Sequence, residues 1–393
     1  MNHMRWASHF SLLSALFLAA GGCAWDTSED AAVRPALACA GAFCDDPRGD
    51  GSPLPRRRGT IVSDGCFPDA RALATLAAPA THKLVEEIVL LCLIPRSDGA
   101  IAPTDAAARD ELRRVVASVQ NAGIRAGGAP YRVSLGVSFT DETGVRFDGA
   151  QTAAQFADAR VRGGWADALT TLLSGPNSLG ADAIDLNVEA VPPGVRSDLT
   201  VFTEDLAGKL HAAPKRVAVN LFVPPSLRSP SDLPSGDAFN VPALGAVADR
   251  LRVMTLDYAD RSTGPGPTIV PGWAVEAARF ARRQTSAPLD VAIPLYGNDF
   301  GPSTTRGVSY LEAAGLASAA STPPSRGITD AITYVYSASD GVHTVWVDDA
   351  RSLGRTLRAW QTEALGAEIG VVYFGLGAED PSLFSTLAGR TPR

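Results

Sequence analysis

Runs of apolar and β-branched residues recur along the chain at Glu87–Ile94, Tyr131–Phe139, Ala183–Val191, Arg216–Val223, Leu251–Tyr258, Leu289–Tyr296 and Ile369–Phe374. A weaker run lies near Thr60–Ser63. Each has strand length, and between several of them apolar residues fall three or four apart, the helical period. Leu112, Val115, Val116 and Val119 share one such face, with Gly123 expected to stop the helix. Phe156, Trp165, Leu169, Leu172 and Leu173 form a second ahead of Gly175, and Leu353, Leu357, Trp360 and Ala364 a third ahead of Gly366. Strand–helix alternation implies parallel βαβ units. Seven clear strands and one weak one would close an α/β barrel of the (β/α)8 type. An open doubly wound sheet is the alternative, although no Gly-x-Gly-x-x-Gly turn follows any strand.

Two connections are long. Pro224–Pro242 follows the fifth strand and reads as a loop. Residues 301–345 follow the seventh, and Thr333–Trp346 alternates around Asp340-Gly341, which predicts a small hairpin insertion. Loops after barrel strands gather at the C-terminal mouth, where binding sites lie.

One strand carries an unusual polar stack. From Ala181 to Glu189 the chain reads Ala-Asp-Ala-Ile-Asp-Leu-Asn-Val-Glu. Alternation puts Ile184, Leu186 and Val188 on one face and Asp185, Asn187 and Glu189 on the other. In a barrel the second face points inward, where three polar groups are costly unless paired. A half-solvated antiparallel strand would show the same alternation, but parallel strands are normally covered on both faces.

Composition narrows the class. The chain has 393 residues, 46% hydrophobic and 20% charged, which suits a globular core rather than disorder. The formal charge is −7 and only three lysines occur, so nucleic acid is not an expected partner. Met1 to Cys23 reads as an export signal: Arg5, an apolar run from Phe10 to Ala20, then Leu18-Ala19-Ala20-Gly21-Gly22-Cys23, which resembles a bacterial lipobox. The expectation is a signal peptide over 1–22, a lipidated Cys23 opening a flexible tether over 23–59, and one folded domain over 60–393. That places the protein at the cell envelope, lipid-anchored, or secreted. Cys39, Cys44, Cys66 and Cys92 permit disulfides in an exported chain, with Cys39 and Cys44 the obvious local pair, while Cys92 also reads as a buried thiol. After the leader only His82, His211 and His343 remain, without ligand spacing, so neither metal nor cofactor is expected. His343 reads as solvated near its turn, and Asp349 before Ala350-Arg351-Ser352 as a helix N-cap.

The polar strand resembles the Asp-x-x-Asp-x-Asp-x-Glu signature of family 18 glycoside hydrolases, the chitinase-like barrels. Asp182, Asp185 and Glu189 match, and Asn187 stands at the third aspartate. Further matches follow in order: Ser134-Leu135-Gly136-Val137, then Met254-Thr255-Leu256-Asp257 with Leu256 at a tyrosine, then Pro294-Leu295-Tyr296-Gly297. Val345–Ser352 and Gly370–Pro381 are similar to the end of the spore-cortex peptidoglycan-hydrolase branch, with Phe374 at a tryptophan. The resemblance spans roughly residues 84–385.

It implies a (β/α)8 barrel in which Glu189 is the general acid/base and the substrate's 2-acetamido oxygen is the nucleophile, an exception to the two-carboxylate rule. Asn187 would orient the acetamide, as an asparagine does in family 85 endo-N-acetylglucosaminidases, and Asp185 would stand nearby. Asp182, Asp257, Tyr258, Tyr296, Phe374 and Trp346 are the candidate sugar-binding residues. Tyr258 is expected one layer above Leu256, on the same face. The implied substrate is a β-linked N-acetyl amino-sugar polymer, peptidoglycan or chitin-like, handled by a monomer that meets the membrane only through its lipid. The competing expectation is a non-catalytic, chitinase-like carbohydrate-binding lipoprotein, in which Glu189 would be salt-bridged or occluded.

Overall fold

The computed structural model describes residues 41–49, 59–139, 148–189, 191–222, 234–362 and 369–390. The export signal, Cys23, Cys39, most of the long loop after the fifth strand, and Ala364 and Gly366 lie outside them.

Eight parallel strands close on themselves: β1 Gly59–Ser63, β2 Glu87–Pro95, β3 Arg132–Ser138, β4 Ala183–Asn187, β5 Arg216–Phe222, β6 Arg250–Met254, β7 Leu289–Pro294 and β8 Gly370–Phe374. β1 pairs with both β2 and β8, which completes the (β/α)8 barrel. Strand alternation separates two cores. Ile88, Leu90, Leu135, Ile184, Leu186, Val219, Leu251 and Val291 point outward into the layer shared with the helices. Val62, Val89, Leu256, Ala292 and Val372 point inward and fill part of the barrel.

The helices follow the sequence pattern with two corrections. Ala106–Arg125 runs straight through Gly123. That glycine is required by the returning chain, since a Cβ there would meet the Ala129 carbonyl oxygen at 2.4 Å. Phe156 and Trp165 belong to separate helices, Gly149–Ala157 and Ala159–Ser174, with Asp158 ending one and capping the next through the Arg160 and Val161 N–H groups. Their rings still meet, 5.4 Å apart, in a cluster with Phe139 and Phe202.

The insertion after β7 is larger than the expected hairpin. Strands Gly297–Phe300, Thr305–Val308, Ser325–Arg326, Ile332–Ala338 and Gly341–Val347 form a five-stranded antiparallel sheet. One face holds Ile332, Tyr334, Tyr336, Val345 and Val347 against Val308 and Ala313. His343 is buried here rather than solvated, with Nδ1 2.9 Å from Asp299 and Nε2 2.9 Å from Asp340.

Residues 41–49, within the stretch expected to be a tether, pack on this sheet. The Ala42 N–H donates to Pro324, Arg326 pairs with Asp45 at 2.9 Å, and the Phe43 ring lies 5.4 Å from Tyr310 and 6.2 Å from Tyr334. Cys44 is disulfide-bonded. At the other end of the insertion, Asp349 caps helix Ala350–Thr362 through the Arg351 and Ser352 N–H groups.

Asp158→Ala removes the capping acceptor of helix Ala159–Ser174 and should lower stability by about 1 kcal/mol, within a range of about 0.5–2. Urea unfolding followed by circular dichroism measures it, and an unchanged midpoint would contradict the capping role.

Candidate active site

β4 delivers its polar face to the barrel interior. Asp185 and Asn187 are buried, and Glu189 lies half-buried just past the strand end, at the mouth. Asn187 Nδ2 donates to Glu189 Oε1 at 2.9 Å. Asn187 Oδ1 is equally buried and has no hydrogen-bond partner among the described residues. A buried acceptor without a partner is unusual in a folded protein, and a donor from a bound molecule is one way to satisfy it.

Beneath this pair lies a buried ionic core. The Arg252 guanidinium, from β6, is 1% exposed and reaches Glu87 at 2.6 Å, Asp185 at 2.9 Å and Asp290 at 3.8 Å. Arg250 also holds Asp290 at 2.6 Å, and Arg132 approaches Glu87 at 3.7 Å. Ser134 Oγ donates to Glu87 at 2.6 Å, and Asn220 Nδ2 donates to Asp185. Burial would raise the Glu87 carboxyl, but Arg252, Ser134 and Arg132 together bring it down to about 2. For Asp185 and Asp290 burial prevails over the arginines and their carboxyls stand above the usual range. Asp185 is therefore fixed by Arg252 and Asn220, while Asn187 turns towards Glu189.

Around the mouth, the Tyr296 hydroxyl donates to Asp257 Oδ1 at 2.8 Å. Asp257 has φ 55°, a left-handed conformation rare outside glycine and held here by the loop that carries it. Burial pushes the Tyr296 phenol well above its usual value, and the charges of Asp257, Glu189 and Asp64 add to the effect. Asp64 continues the inward alternation of β1. Asp64 is exposed at the surface, and the protein packed around its carboxyl raises it to about 6. The Phe374 ring stands edge-on to Tyr296 at 6.3 Å. Leu256 lies in the apolar interior cluster with Val62, Val89, Ala292 and Val372, and so forms part of an apolar floor. Trp346, half-buried on the insertion sheet, pairs in register with Asn298, whose Nδ2 lies 3.4 Å from the Ala259 carbonyl of the loop after β6. That sheet face therefore borders the mouth.

Two expected binding residues lie elsewhere. Asp182 precedes β4 at the opposite end of the barrel, where its carboxylate accepts from the Val133 N–H at 2.8 Å and pins β3 to β4. Tyr258 does not sit one layer above Leu256. β6 ends at Met254, the turn at Asp257 breaks the alternation, and Tyr258 packs edge-on against Trp273 at 5.4 Å. The residues overlooked in the sequence are Glu87, Asn220, Arg252, Asp290 and Asp64. Glu87, Asn220, Arg252 and Asp290 stand at inward positions of parallel strands, so the alternation argument applied to Asp185–Glu189 would have flagged them; Asp64 lies just past the end of β1. Among the described residues no group of three or more His, Cys, Asp and Glu is placed to hold a metal ion, and no helix is long and apolar enough to cross a membrane.

This fold has known counterparts. A chitinase from Chromobacterium violaceum superposes with a TM-score of 0.69 at 22% identity, covering 86% of this chain and 100% of that one. The spore cortex-lytic enzyme SleL of Bacillus cereus gives 0.66 at 18%, covering 87% and 76% respectively. A class V chitinase from Pseudomonas fluorescens gives 0.66 at 20%, covering 85% and 99%. The fold is that of the chitinases and cortex-lytic enzymes. No family model and no curated protein sequence matches the chain.

Arg252→Met leaves the three buried carboxylates without their shared cation and should cost about 3–5 kcal/mol at neutral pH. The sign with pH is diagnostic. Glu87 ordinarily titrates near 4.5 but near 2 in the fold, so its contribution is present above 4.5 and is lost as pH falls to about 2. In the variant the uncompensated carboxylates favour protonation, so its deficit should shrink on acidification. Denaturant unfolding between pH 7 and pH 3 reads both curves, and parallel curves would contradict the network's role.

Proposed function

We propose that the protein is an exported glycoside hydrolase that cleaves β-linked N-acetyl amino-sugar polymers, peptidoglycan or chitin-like, with Glu189 as general acid/base. The observation that carries this reading is the pairing of Asn187 with Glu189 and the buried, unpartnered Oδ1 of Asn187 beside it. The fold shared with chitinases and cortex-lytic enzymes supports the same substrate class.

In this reading Asn187 Oδ1 accepts the N–H of the 2-acetamido group and aims its carbonyl oxygen at the anomeric carbon. Glu189 gives its proton to the glycosidic oxygen as that acetamido oxygen attacks and the leaving sugar departs. Water then attacks the same carbon, Glu189 takes back a proton, and the configuration is retained. No enzyme nucleophile is needed. Asp185 is a positioning residue, since Arg252 and Asn220 hold it in place below the reacting groups. The Tyr296–Asp257 pair, Phe374 and Trp346 form the walls of the sugar site. Leu256 offers the acetamide no hydrogen bond, so its recognition falls mainly to Asn187. A lipid on Cys23 would hold the enzyme at the envelope.

Reducing-end release from peptidoglycan sacculi and from chitooligosaccharides tests the assignment. Glu189→Gln should abolish the activity, with a loss of at least about 10²-fold. Asn187→Ala should lower kcat by about 10²–10³-fold, because it removes the acetamide's orienting group. Background release from wild type and Glu189→Gln alike, with the polymer still bound, would instead establish a non-catalytic carbohydrate-binding protein.

A further inference from the structure

Cys66 and Cys92 are free thiols, and they meet beside the barrel mouth. Cys92 is buried on β2, while Cys66 is half-buried in the segment leaving β1. Parallel pairing sets Ser63 beside Leu90, so the two chains run on as neighbours and deliver both side chains to one place. Cys66 Sγ lies 3.6 Å from the Cys92 carbonyl oxygen. We propose that Cys66 and Cys92 form an oxidisable pair that closes to a disulfide and staples the β1 mouth segment to β2.

The geometry favours closure, because a disulfide needs the two residues in direct contact, and the 3.6 Å approach of Cys66 Sγ to the Cys92 backbone shows that they are. The two thiols are also unequal. Contact with Cys92 draws the Cys66 thiol below its usual value, whereas burial pushes Cys92 well above. Cys66 is therefore the attacking group. Its thiolate attacks one sulfur of an external disulfide, forming a mixed disulfide and releasing one thiolate. The Cys92 sulfur then gives up its proton and attacks Cys66 Sγ, which releases the second thiolate. The protein loses two S–H bonds and gains one S–S bond, and the external disulfide is reduced to two thiols. An oxidised small-molecule disulfide or a disulfide oxidoreductase supplies this chemistry.

The segment to be stapled carries Asp64 at the mouth and Phe67, which is 61% exposed, and it turns at Gly65 with φ 137°. The bridge would set where these side chains stand relative to a bound polymer.

The test uses the full chain in glutathione buffers of graded oxidised-to-reduced ratio, followed by alkylation, digestion and mass spectrometry. A joined Cys66–Cys92 peptide should accumulate with oxidation. Cys92→Ala should instead retain glutathione on Cys66, while Cys66→Ser should leave Cys92 alkylatable. The thermal midpoint of oxidised wild type should exceed that of the reduced protein, a difference that vanishes in Cys66→Ser. Complete alkylation of both thiols at every ratio would overturn the proposal, as would joining of Cys66 to another cysteine. No glycan enters this measurement, so its outcome is independent of the hydrolase reading.

Discussion

A single guanidinium organises the interior of this barrel. (β/α)8 barrels normally fill their centres with layers of branched apolar residues, yet here Arg252 stands 1% exposed among Glu87, Asp185 and Asp290. Each carboxylate comes from a different strand, so the ionic core ties β2, β4, β6 and β7 together in a way that hydrophobic packing alone would not specify. Apolar residues could stabilise such a core as well or better. Only the charged version fixes Asp185, which in turn leaves Asn187 to turn upward to Glu189.

The mouth inherits this order. Asn187 stands on the same strand as the tethered Asp185 and Glu189 follows two residues later, so their height and direction follow from it. Opposite them, the Tyr296–Asp257 hydrogen bond fixes a second polar edge, at the expense of a left-handed backbone at Asp257. Between the edges lies the apolar floor built by Leu256, Val62, Val89, Ala292 and Val372. A sugar ring has polar edges and apolar faces, and this arrangement of rim and floor complements both.

Much of the barrel was legible in the sequence because parallel strands covered on both faces give dense, short apolar runs. Even the weak run at Thr60–Ser63 is a strand. The expected runs overshoot at the mouth, at Tyr258 and Tyr296, because apolar residues continue there after the backbone has turned. The insertion was legible only at its Asp340-Gly341 hairpin. Its other strands, Gly297–Phe300, Thr305–Val308 and Ser325–Arg326, are too short and polar to show a period. The Asp185–Glu189 stack pointed to the site, whereas His343 was misread because its partner Asp299 lies 44 residues away. Periodicity describes which face a residue takes, not which distant charge it meets.

The packing of residues 41–49 on the insertion sheet also sets a length. With Ala42, Phe43 and Asp45 held there, a lipid on Cys23 would be separated from the folded body by about 18 residues, at most ~65 Å of extended chain, rather than by the whole stretch to β1. The leash would leave from the insertion sheet and not from the base of the barrel. Pull on it would be borne by the Arg326–Asp45 pair and the Phe43 contacts, while the strands that hold Glu189 stay unloaded.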